Sequence, residues 1–110
     1  LAVICDTDEI LYASGEGRKE FAKKHVSQQL ENIMRDRRSY VANLAEGGDI
    51  VPLTDGANVN VTAQIIVPIV SGGDCLGAVS LLSSEEGARM ESGAIKLCRL
   101  TADILANQFD

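Results

Sequence analysis

Tryptophan is absent from this chain, and phenylalanine and tyrosine supply two residues each. Any core is therefore aliphatic. Histidine is nearly absent too. The single one, His25, stands beside Lys23 and Lys24 in a charged stretch and reads as a solvated surface residue. With no second histidine and no serine or cysteine placed beside it, a catalytic triad has too few parts. Neither a GxGxxG nor a GxxxxGK[ST] pattern occurs, so the usual phosphate cradles are missing. No apolar run approaches the roughly 20 residues that span a bilayer, and no signal peptide opens the chain. No membrane partner is expected.

Cysteine is sparse: Cys5, Cys75 and Cys98. Their number is odd, and their spacing fits neither a zinc site nor a CxxC redox pair. Each lies in or beside an apolar run, so buried, reduced thiols and a reducing, cytoplasmic home are expected. Positive charge is also short, with 10 Lys and Arg against 16 Asp and Glu, a formal net charge of −6. An acidic surface without a basic stripe is repelled by phosphate backbones. Any DNA contact must come from outside this segment.

What is present suits one domain: 110 residues, 45% of them apolar. Leu1 to Cys5 is an apolar run, and Asp6-Thr7-Asp8 supplies turn chemistry. Asp6 and Asp8 have a spacing that can hold a cation, but turn formation accounts for them, so no metal is expected. With Glu9 to Ala13 these residues predict a β-hairpin. Ser14-Gly15-Glu16-Gly17 ends it, and Arg18 to His25 reads as a short helix.

Ser27 has the chemistry of an N-cap for a helix to about Arg37, whose Leu30, Ile33 and Met34 form one apolar stripe. Ser39 to Ala42 predicts a short strand. Between the turn signals Gly47-Gly48-Asp49 and Asp55-Gly56, Ile50, Val51 and Leu53 suit a strand that Pro52 confines to a sheet edge. Val61 to Val70 predicts a strand, with Pro68 at a bulge or at a position where no N–H is needed for pairing. Ser71 to Asp74 turns the chain into a second strand, Cys75 to Leu82, where Gly77 marks a bulge or a close approach.

Ser83 and Glu86 have capping-box spacing before a helix predicted from Gly87 to about Phe109. Its polar face, through Arg89, Ser92, Lys96, Arg99, Asp103 and Asn107, is narrow. Its apolar arc is wider than the stripe of about 100° that one sheet requires. Two coverings suit the excess: the same helix of a second copy, or a helix N-terminal to Leu1. On the first, Met90, Ala94, Leu97, Thr101 and Leu105 are candidate interface residues in a homo-oligomer. Hairpin-joined strands with interspersed helices predict an α+β fold, an antiparallel sheet with helices packed on one face.

Two stretches carry a family resemblance. One is Ala2-Val3-Ile4-Cys5-Asp6-Thr7-Asp8 followed by Ala13-Ser14-Gly15. The other is Val67-Pro68-Ile69-Val70, then Gly73-Asp74, then Gly77-Ala78-Val79. With the Met34-Arg35-Asp36-Arg37-Arg38-Ser39 helix end, the ordered set resembles the C-terminal GAF domains of the stage V sporulation protein T family. The resemblance runs over nearly the whole chain.

It implies a GAF-like regulatory domain that senses a small molecule and assembles through helices. The host would be a transcription regulator of the developing forespore. It implies DNA binding through an AbrB-like N-terminal part that these residues do not contain. The chain also opens at Leu1 inside a strand-like run, so a longer parent protein is expected. GAF domains hold ligands between the sheet and the elements covering it. By position, Asp6, Tyr12, Ser14, Arg37, Ser39, Tyr40 and Gln64 are the candidate ligand-binding residues. No ligand or cofactor is named by the resemblance, and no catalytic residue is expected. The alternatives are a purely structural dimerisation domain, and a GAF-type methionine sulfoxide reductase using Cys5 and Cys75.

Overall fold

The computed structural model describes residues 1–108. β1 (Ala2–Cys5) and β2 (Ile10–Ser14) form the expected hairpin. Asp6 makes its turn, one carboxylate oxygen accepting from the N–H of Asp8 at 2.7 Å and of Glu9 at 2.8 Å. The short helix expected over 18–25 is instead one 3₁₀ turn, Arg18–Glu20. Lys23 then takes a left-handed φ of 60°, and His25 bridges to Glu9. The backbone N–H of Ile10 donates to Lys24, so this stretch lies against the start of β2 rather than closing helical bonds.

Ser27 caps α1 (Gln28–Asp36), its hydroxyl accepting from the N–H of Leu30 at 3.1 Å. Arg37 ends the helix in a left-handed conformation. β3 (Tyr40–Asn43) follows, then a 3₁₀ turn at Leu44–Glu46. β4 (Ala63–Ser71) and β5 (Asp74–Ser83) form the long central hairpin. The five strands lie in the order β2-β1-β5-β4-β3, and every pairing is antiparallel. β3 begins opposite Ile66, so Pro68 lies beyond its reach, where β4 is itself an edge and its missing N–H costs no ladder bond. The register shifts between Ile69 and Val70, opposite Gly77 and Cys75, which leaves Leu76 as the extra residue of a bulge. A Cβ on Gly77 would stand 1.9 Å from the carbonyl oxygen of Cys5, so the two backbones meet where only glycine fits.

The α+β class is as expected, but the helices lie on both faces of the sheet rather than one. Leu30 and Met34 of α1 join Val3, Cys5, Ile66, Ala78 and Leu82 in one core. Cys98, Ala102 and Ala106 of α2 (Ser92–Asn107) join Ile65, Val67, Ile69 and Val79 in another. The physical reason lies in β4, whose continuous apolar run presents bulky side chains to both sides, and each side needs cover.

α2 starts at Ser92, later than the predicted Gly87, with Glu91 at its N-cap. Backbone groups ahead of it are engaged elsewhere. The Glu85 carbonyl accepts from Thr62 Oγ1 at 2.6 Å, and the Met90 N–H donates to Asn43 Oδ1 at 2.8 Å. Gly87 has a φ of 77° and breaks any helix there. Phe109, the predicted end, lies outside the described residues.

Candidate functional site

The segment joining the second 3₁₀ turn to β4 crosses the α1 face of the sheet. Its first half is pinned. Gln64 is fully buried; its Oε1 accepts from the Val51 N–H at 2.6 Å and its Nε2 donates to the Val51 carbonyl at 2.9 Å. Ile50–Leu53 therefore forms no edge strand: a side-chain amide takes the place of a ladder partner. The Ser27 hydroxyl donates to Pro52, its N–H donates to Leu53 at 2.8 Å, and Thr54 Oγ1 donates to His25 at 2.6 Å.

The second half is loose. Beyond the turn at 55–56, the one hydrogen bond among the described residues that ties 55–61 to another element runs from the Asn58 N–H to Glu20 Oε1, at 2.7 Å. Between this segment and the sheet lies a cavity of about 280 Å³. Phe21, Val51, Leu53, Ala57, Val59, Val61 and Leu82 supply its apolar walls.

None of the seven predicted ligand residues lines this cavity. Gln64 touches it through Val51, and both ends of its amide are occupied. Tyr40 packs against the α1-side core and donates its hydroxyl to the Asp49 carbonyl at 2.7 Å. Asp6 is spent on the β1–β2 turn. Arg37 is exposed and bonds back to the Arg35 carbonyl, and Ser39 is exposed in the link to β3. Tyr12 pairs with Ile4 and Ser14 with Ala2, which puts both side chains on the other face from the cavity. Tyr12, 55% exposed, sits instead in a concavity at the sheet edge with Arg18, Lys19 and Lys23. The wall residues left one signal in the sequence: Ala57, Val59 and Val61 alternate with polar residues inside a turn-rich stretch.

The predicted interface residues also divide. Met90, Ala94 and Leu105 pack against the α2-side core. Thr101 is half-buried and donates its hydroxyl to the Leu97 carbonyl at 2.8 Å. Leu97 is 59% exposed, and it lies one turn from Leu100 at 56% and two from Ile104 at 52%. Those three, at i, i+3 and i+7, make a continuous apolar stripe facing away from the sheet.

Two of the three thiols, Cys5 and Cys98, are poorly placed for chemistry. Cys5 is buried, and its pKa is pushed up to about 12, chiefly by desolvation, with the neighbouring Asp6 and Cys75 adding to the rise. Burial raises Cys98 as well. A thiol kept protonated is neither nucleophile nor metal ligand. Among the described residues no group of three His, Cys, Asp or Glu side chains is arranged to hold a metal. None of the described helices is long and apolar enough to cross a membrane.

Sheet order and layering define the GAF-like α+β class. Two solved structures share that fold. One is a type II free methionine-R-sulfoxide reductase from Thermoplasma acidophilum. It has a TM-score of 0.64 at 9% identity, with 96% of this chain and 75% of that one covered. The other is a red/green cyanobacteriochrome in its red light-absorbing state, with a TM-score of 0.69 at 12% identity and 98% and 80% coverage. At such identities the likeness shows the fold alone.

The chain belongs to the family described as "Stage V sporulation protein T C-terminal, transcription factor", whose model matches residues 1–110. It is 31% identical over 108 residues to stage V sporulation protein T of Bacillus subtilis (strain 168). The match covers 98% of this chain and 58% of that relative, so the chain spans little more than half the relative's length.

Proposed function

We propose that this domain is the ligand-sensing and oligomerising part of a sporulation transcription regulator, working in the cytoplasm of the developing forespore, and that it is not an enzyme. The observation that carries the reading is the cavity of about 280 Å³ beside 55–61, walled by apolar side chains and flanked by a segment that one hydrogen bond ties to another element. A wall so weakly held is the part of a fold that a ligand can order.

The coupling path is short. Leu82 lines the cavity, while Leu81 beside it packs into the α2-side core. A ligand that presses on β5 thereby biases the seat of α2. The apolar stripe Leu97, Leu100 and Ile104 supports assembly of two copies through this helix. DNA would be bound by a separate N-terminal part, whose spacing the helix pair sets. The mechanism is a population shift between two arrangements of that pair. The raised pKa of Cys5 weighs against the reductase alternative.

Native mass spectrometry of the domain, gently purified from sporulating cells, tests this reading. The expected result is a dimer retaining a small molecule. A monomer with no added mass contradicts it.

A further inference from the structure

The cavity's lining contains no charged side chain. Its polar members are Thr54, whose hydroxyl is already spent on the His25 carbonyl, and Asn60. An anionic group placed there would give up its hydration and meet no cation in return. The cavity adjoins a larger cleft of about 590 Å³ that shares Val59, Asn60 and Leu82 with it. The charged groups of that cleft are the Glu16 and Glu85 carboxylates and the Leu1 ammonium, which donates to the Leu82 carbonyl at 3.3 Å, two negative charges against one positive with no Lys, Arg or His side chain in the lining. The entrance is therefore net negative.

Basic side chains gather elsewhere, as with Arg18, Lys19 and Lys23 at the edge of β2. The cavity's volume sits near the lower end of the roughly 300–1,000 Å³ range of ligand pockets, so the ligand's body is small.

We infer that this site takes a small molecule with a branched or cyclic apolar body and no negative charge. Its one polar end, preferably an amine, points between Glu16 and Glu85. This rests on the sensor reading above and gives it a ligand class. The body displaces water from Phe21, Val51, Ala57, Val59 and Leu82, while the polar end stays in the wet cleft. Nucleotides and carboxylates are disfavoured on entry and again on seating.

Three probes share one isobutyl body and differ only in the head: isobutylamine, isobutanol and isovalerate. Each is titrated into the chain while the methyl resonances of Ala57, Val59 and Leu82 are followed by NMR. The amine is expected to shift these methyls saturably, the alcohol to follow it, and isovalerate to bind at least about tenfold more weakly than the amine. In the Glu16→Gln/Glu85→Gln variant the amine and isovalerate should come within about threefold of each other. Isovalerate binding as tightly as the amine overturns the assignment, and so does silence of these methyls with all three probes.

The sensor reading fails separately. Val59→Phe fills the cavity, and if it leaves operator binding by a DNA-binding parent protein unchanged, that reading is wrong whatever the order of the probes. If Val59→Phe alters operator binding but the order of probes is reversed, only the ligand class is wrong.

Discussion

Gln64 holds Val51 by both of its backbone polar groups, at 2.6 and 2.9 Å, so a side chain of a central strand does the work of a sheet neighbour. Gln64→Leu keeps the volume and removes both bonds. It leaves a partly buried N–H and C=O unpaired, at about 1–3 kcal/mol for each group left unsatisfied. We expect a loss of about 2–6 kcal/mol in urea unfolding. We also expect faster amide exchange over 50–54, with α2 protected as before. Uniformly faster exchange across the domain would show that Gln64 supports the whole fold and not this wall.

Gly77 tests the close approach of β5 to β1. Gly77→Ala places a methyl 1.9 Å from the Cys5 carbonyl oxygen, against backbone that cannot swing aside. A loss of at least about 3 kcal/mol, or failure to fold, is expected. Gly47→Ala is the control. Its Cβ meets nothing within 4 Å, and only its φ of 81° is strained. It should cost about 1 kcal/mol. Equal losses at the two sites would refute the contact.

Cys5 sets a pH dependence on the alkaline side. Its folded-state pKa is raised from 9.0 to about 12, so the native state holds its proton where the unfolded chain releases it. The stabilisation is complete below pH 9 and drains away as pH rises from 9 toward 12, by up to about 1.4 kcal/mol per unit. Lysines and tyrosines titrate in the same range. The measurement is therefore the difference between the wild type and Cys5→Val in denaturant unfolding at several pH values. The wild type should lose more stability across this window; parallel curves would contradict it.

The helix surface separates assembly from folding. Leu97→Asp or Leu100→Asp alters an exposed stripe and should dissociate the proposed dimer with circular dichroism unchanged. Leu105→Asp buries a carboxylate against the α2-side core and should unfold the domain. Sedimentation of the three variants checks this. A dimer that survives Leu97→Asp and Leu100→Asp together would place the interface elsewhere.

Much of the fold was legible because its signals are local. The cap at Ser27, the turn at Asp6, the edge at Pro68 and the tight point at Gly77 each depend on neighbours in the chain or on one strand partner. The 50–61 segment was not legible, because its order comes from Gln64, Ser27 and Glu20, which sequence periodicity does not connect to it. The start of α2 moved for the same reason: Asn43 and Thr62 bind backbone that local capping rules assign to the helix. Placement of the helices on both faces was present in the unbroken apolar run of β4, which a one-sided sheet does not need. The candidate site was the least legible. Reach alone singles out polar residues, whereas Asp6, Tyr40 and Gln64 are engaged in holding backbone and the cavity wall is apolar.

Operator binding by a DNA-binding parent protein carrying Val59→Phe tests the central claim most directly. A filled cavity mimics permanent occupancy or blocks the ligand, so affinity should shift by at least about fivefold from wild type, with circular dichroism showing an intact domain. Identical affinity in the two folded proteins would mean that the cavity plays no part in regulation.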